Sequence, residues 1–203
     1  MGAAGHARGA HRGRPGPRDE HPAHPVRTAR GGLIVDARAV LVESFGRVGP
    51  TVHRIVDGLD EATLTWRADP EANTIAWLTW HIARVQDAQL APLAETEEVW
   101  TAGGWAERFD LPFDDSASGY GQSADDVAAV RVPADLLLGY LDAVTAATSA
   151  YLATIAGDDL DRVVDHRWDP PVTLAARLVS ILADDLQHVG QAAYVRGLAE
   201  RAR

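Results

Sequence analysis

Residues 180–197 read SILADDLQHVGQAAYVRG, a helix-forming stretch whose apolar positions are interrupted by Asp184, Asp185, Gln187, His188 and Gln191. At 100° per residue, Leu174, Leu178, Ile181, Ala192 and Val195 define its inner face, and His188 falls within about 40° of that centre. Asp184 precedes the histidine by four residues and Asp185 by three, so either carboxylate can share its side of the helix. A second imidazole stands on an earlier stripe of Thr74, Trp77, Leu78, His81, Val85 and Ala88, with His81 at its middle. A carboxylate buried without a partner costs several kcal/mol, so something must compensate it. Two solutions are open: an ion pair with Arg84 or Arg177, or a divalent cation shared by one acid and two neutral imidazoles. Three protein ligands leave metal positions vacant, and such an ion lowers the pKa of bound water or deprotonates a bound thiol. The chain has no cysteine, so any sulfur nucleophile must arrive on a small molecule. Of the other histidines in the body, His53 lies about 100° off its own stripe, and His166 sits in a charged segment; both read as surface groups.

Helices must position these side chains. A first apolar stripe runs from Leu33 to Leu59 through Ile34, Leu41, Val48 and Ile55, with Gly49-Pro50 inside it predicting a kink. The second helix spans Thr74 to Leu90, with Asn73 as N-cap after the Asp69-Pro70 break. The third opens at Pro133 and ends before Gly157; the fourth runs from the N-cap Thr173 to Leu198. A long connection, residues 91–132, carries Trp100, Trp105, Phe109, Phe113 and Tyr120, then a short helix opened by Ser123 with Asp126 three residues on. The expected fold class is therefore all-α: a four-helix bundle with a long aromatic-rich crossover between helices 2 and 3. Trp77, Trp80, Trp100 and Trp105 are candidate pocket walls, with Tyr120 and Gln122 at the mouth. The segment GDDLDRVVDHRWDPP reads as a second, shorter loop.

Charge is unevenly distributed. Residues 1–30 hold six arginines against two acids, leaving 13 basic and 27 acidic residues in the remaining 173. An acidic body repels a phosphate backbone, which excludes nucleic acid as its expected partner. Residues 1–32, rich in Arg, Gly, Pro and His, read as a disordered tail, and residues 33–203 as the folded domain. No continuous apolar run marks a secretion signal or approaches a membrane span, and the lack of cysteine fits a reducing interior, so the expected location is the cytoplasm.

Together, NTIAWLTWHIARVQD at 73–87 and DDLQHVGQAAYVRG at 184–197 resemble the DinB/YfiT-like superfamily. More narrowly they resemble its actinobacterial branch, related to mycothiol-dependent maleylpyruvate isomerase; the likeness runs from about residue 33 to 200. That resemblance implies a divalent ion, zinc or nickel, held by His81, Asp184 and His188, with aspartate where the family more often has histidine or glutamate. Asp185 is the alternative acid, Gln191 points toward the pocket rim, and Trp77 and Arg84 are candidate substrate or supporting contacts, Arg84 for an anionic group. The implied activity is a metal-dependent transferase or isomerase using mycothiol or a similar thiol against an electrophilic substrate. The alternative is a non-catalytic metal or small-ligand binder in a stress response. The ligands themselves are not acid–base groups in this scheme, and the sequence assigns no catalytic residue. A homodimer is a candidate assembly.

Overall fold

A computed structural model describes residues 36–202, so the expected tail at 1–32 and Ile34 of the first stripe lie outside the described residues. The first rod is two helices, α1 (Ala37–Phe45) and α2 (Val48–Val56), with Asp36 capping α1 by accepting from the Ala39 amide at 2.7 Å. The expected kink at Gly49-Pro50 is instead a break at Gly46-Arg47. The physical reason is the reach of proline: its ring clashes with the carbonyl four residues back, which here is Gly46. Pro50 itself then falls in the first turn of α2, where a missing N–H costs nothing.

After α3 (Glu61–Leu64), the long helix α4 (Ile75–Ala94) is capped by Thr74, whose hydroxyl accepts from the Trp77 amide at 3.0 Å. The cap is thus one residue later than the expected Asn73. α4 also outruns its expected end at Leu90, passing through Pro92 because Leu90 and Ala91 are buried and hold the last turn in place. The crossover contains α5 (Val99–Ala102), α6 (Trp105–Phe109) and α7 (Ala124–Ala129), the last opened by the reciprocal Ser123–Asp126 cap that the sequence predicts. Helix α8 (Ala134–Thr154) leads into a 3₁₀ turn, Gly157–Asp161, and then a small antiparallel hairpin of β1 (Val163–Asp165) and β2 (Val172–Thr173). This hairpin replaces the expected loop. It is pinned by Asp165, which accepts from Arg167 and from Arg177 at 2.9 Å each. Helix α9 (Leu174–Arg201) follows from its Thr173 cap.

The fold is all-α apart from that hairpin. α4 packs against α8 and α9, and the α1–α2 rod packs against the same two, so four rods close around a shared core. Trp80, Ile82, Leu137, Leu141 and Val144 lie within it. Among the described residues α8 is the one helix long and apolar enough to cross a membrane, contrary to the sequence expectation that no stretch approaches a span. Its Leu137, Leu141, Val144 and Leu152 are nevertheless buried against neighbouring helices.

Candidate metal centre

His81 projects from the middle of α4, and Asp184 and His188 project from α9 across the α4–α9 contact. One donor atom from each of the three lies within 4.8 Å of the other two. The Asp184 carboxylate is the hinge of the cluster: Oδ2 stands 3.8 Å from His81 Nε2, and Oδ1 stands 3.6 Å from His188 Nε2. Both separations exceed a hydrogen bond. They approach the roughly 3.3 Å that separates two ligands of a tetrahedral ion with bonds of about 2.0–2.1 Å.

Each imidazole is oriented by its other nitrogen. His81 Nδ1 is 2.5 Å from the Ser118 carbonyl, and His188 Nδ1 is 2.9 Å from Gln191 Oε1. Both partners are acceptors, so both Nδ1 atoms carry the proton and both Nε2 lone pairs face Asp184. The His81 ring is further fixed by Trp77, stacked on it at 4.6 Å with an 11° interplanar angle, while Trp77 Nε1 donates to Gln122 Oε1 at 2.7 Å. The two imidazoles meet edge to face, with ring centroids 4.6 Å apart.

Electrostatics favour the ligand forms of His81 and Asp184, whereas His188 must give up a proton that Asp184 helps it hold. Burial, opposed by the Ser118 carbonyl, lowers the pKa of His81 below its ordinary value, so its ring is neutral. The neighbouring His188 holds Asp184 below the usual carboxylate range, against a burial penalty, so the acid is charged. Asp184 in turn raises His188. The donor set fits a divalent ion on one further observation: Asp184 Oδ2 is buried and has no hydrogen-bond partner. A carboxylate oxygen without a donor, facing an imidazole lone pair at 3.8 Å, wants a cation between them.

The competing ion-pair solution is not the one adopted. Arg177 is spent on Asp165 and Gln89, and Arg84 lies in no ion pair with Asp184 or Asp185. Arg84 is instead fully buried, bonded to Glu98 at 2.9 Å, to the Ala117 and Asp115 carbonyls, and to the Tyr140 hydroxyl, with its guanidinium 5.1 Å from the Trp100 ring centroid. The expected contact for an anionic group does not describe it; it binds the crossover to α4. Asp185 lies outside the three-residue cluster. Both its oxygens are buried without a partner, and burial, reinforced by the charge on Asp184, pushes its pKa well above the usual carboxylate range. Of the four candidate wall tryptophans, Trp77 touches both imidazoles. Trp80 and Trp100 are core residues, and Trp105 packs on Tyr140. His166 is exposed as expected, and His53 meets Asp142 at 2.7 Å near the surface.

Sequence reasoning missed Ser118 and Gly119. Gly119 adopts φ +100° and lies so close to His81 that a Cβ there would collide with Nδ1 and press tightly on the Trp77 ring. Its signal was the GYG triplet, in which two glycines flank Tyr120 and both adopt positive φ.

The family profile described as mycothiol-S-transferase matches residues 40–200. Among solved structures, the chain is similar to a conserved protein from Enterococcus faecalis, at 31% identity and a TM-score of 0.76, over 82% of this chain and 98% of that one. No curated protein matches the chain.

Proposed function

The chain belongs to the mycothiol-S-transferase family, and from that premise we propose that it is a metal-dependent transferase acting with a low-molecular-weight thiol such as mycothiol. Nε2 of His81, Nε2 of His188 and the Asp184 carboxylate hold the divalent ion, zinc or nickel. The observation that carries this reading is the Asp184 carboxylate, its buried Oδ2 orphaned and facing His81 Nε2 while Oδ1 faces His188 Nε2, with both rings' Nδ1 protons already spent. A bound ion of this kind supplies one thing, a lowered thiol pKa, so that sulfur is a thiolate at neutral pH rather than the mostly protonated form of a free thiol.

The chain's own residues do the rest. The Ser118 carbonyl and Gln191 fix the tautomers and hold both rings in register. Trp77 closes one side of His81 against water, tied down by Gln122. Asp184 carries one negative charge, so the ligand set neutralises half of a divalent ion and leaves it electrophilic toward an anionic sulfur. The substrate is an electrophilic carbon compound: the sulfur–carbon bond forms, the leaving group departs with its electron pair, and the thiol proton goes to solvent. The test is consumption of mycothiol with monobromobimane as electrophile, on zinc-loaded and chelator-stripped protein. Metal-dependent loss of thiol above the uncatalysed rate supports the proposal. Tight metal binding with no acceleration for this or other thiol–electrophile pairs favours a non-catalytic binding protein.

A further inference from the structure

A second concavity lies on the opposite flank of α4, between its C-terminal turns and α8. It has a volume of about 410 Å³ and is walled by Leu90, Ala91, Val99, Val144, Ala147 and Tyr151. Leu90 is nine residues beyond His81, or about 13 Å further along the helix, so the concavity is separate from the metal centre. Alanines on both facing helices hollow it out, because their short side chains leave the space a leucine would fill.

Its chemistry is one-sided. Glu95 and Glu97 stand exposed at the rim, and the described ion pairs give neither a basic partner. Asp87 also reaches the wall, but its oxygens are taken up by the Val99 and Trp100 amides and the Tyr140 hydroxyl. No basic side chain lines this cavity. Arg162 and Asp159 line the adjoining hollow, which shares Leu93, Glu95, Tyr151 and Thr154, and the Arg162 guanidinium reaches the Tyr151 hydroxyl at 3.5 Å. Two unpaired carboxylates and an aromatic ring at the edge of an apolar trough attract a positive charge attached to an apolar body. The carboxylates act by Coulomb attraction and the tyrosine by its ring quadrupole. The same rim repels a carboxylate, phosphate or sulfonate.

We propose that this cavity binds an organic monocation, an amine or quaternary ammonium carrying one aromatic ring or a short alkyl chain. The volume sits in the range of small-molecule sites. The ammonium lies between Glu95, Glu97 and the Tyr151 ring, and the apolar body enters between Leu90, Ala91, Val144 and Ala147. The site does not depend on the thiol chemistry proposed above.

The test is a backbone-amide NMR titration of the full chain, metal-free and zinc-loaded, with benzyltrimethylammonium, benzyl alcohol and phenylacetate as probes. The expected result is saturable shifts confined to residues 87–99 and 144–154 for the cation, with the neutral and anionic probes about tenfold weaker or more. The double variant Glu95→Gln/Glu97→Gln, two exposed and isosteric changes, should weaken the cation about tenfold and flatten its salt dependence. Ala147→Leu should block the cavity while leaving zinc affinity unchanged. Equal affinity for the three probes, undiminished binding by the glutamine variant, or no saturable shift with millimolar cation would overturn the proposal. So would concentration-dependent dimerisation through the same amides, which would make a second copy the occupant.

Discussion

Substituting Gly119 by alanine tests the supporting architecture of the site without touching any proposed ligand. An added Cβ would overlap His81 Nδ1 and stand 3.0 Å from Trp77 Cζ2, so either the ring or the Ser118–Gly119 backbone must shift. The 2.5 Å bond from His81 Nδ1 to the Ser118 carbonyl then lengthens or breaks, and His81 loses the contact that fixes its tautomer. Loss of such an orienting partner typically lowers metal affinity about 10–100-fold. Alanine at φ +100° also carries a backbone penalty of roughly 1–2 kcal/mol, which would lower stability by itself. Gly121→Ala separates the two effects: Gly121 has φ +73°, so it pays the strain, yet nothing lies within 4 Å of its added Cβ. Zinc affinity measured by competition with a chromophoric chelator, alongside urea unfolding of the metal-free proteins, decides the matter. Both variants should lose similar stability, and only Gly119→Ala should lose metal affinity. Wild-type affinity in Gly119→Ala, or an equal loss in Gly121→Ala, would refute the reasoning.

Three further outcomes follow from the same geometry. Gln191→Leu removes the acceptor of His188 Nδ1 and should weaken zinc binding about 10–100-fold while leaving helix content by circular dichroism unchanged. Arg84→Ala should cost about 3–5 kcal/mol in urea unfolding, because it leaves the buried Asp87 without its cation and frees the crossover carbonyls; a surface charge or anion-binding arginine would cost far less. Zinc affinity should fall with acidification: protons compete for Nε2, and His188, raised by Asp184, begins to protonate above the ordinary histidine value, whereas His81, lowered by burial, follows only at lower pH. The sign is thus loss on lowering pH, beginning on the neutral side of the ordinary histidine pKa, and a chelator-competition series across that range reads it.

What the sequence could reveal depended on whether a signal was periodic. His81 and His188 were legible because each falls on an apolar helical stripe, and stripes report which side chains face inward. Thr173 and the Ser123–Asp126 box were legible because capping chemistry is local. The Ser118 carbonyl was not, since any residue could supply a backbone oxygen and its partner lies 37 positions away. The burial of Arg84 was hidden for a related reason: Glu98 and the Asp115 and Ala117 carbonyls come from the crossover and the Tyr140 hydroxyl from α8, all distant in sequence. The hairpin at 163–173 is too short for alternation to register, and the break at Gly46 sits one turn ahead of the proline that imposes it.

The central claim, that one ion is shared between α4 and α9, is most directly tested by elemental analysis of zinc-equilibrated, dialysed protein, comparing the wild type with His81→Ala and His188→Ala. About one ion per chain in the wild type, and loss of that ion in both variants, is the result this account predicts. A wild type that retains no ion, or a variant that keeps it undiminished, would contradict it.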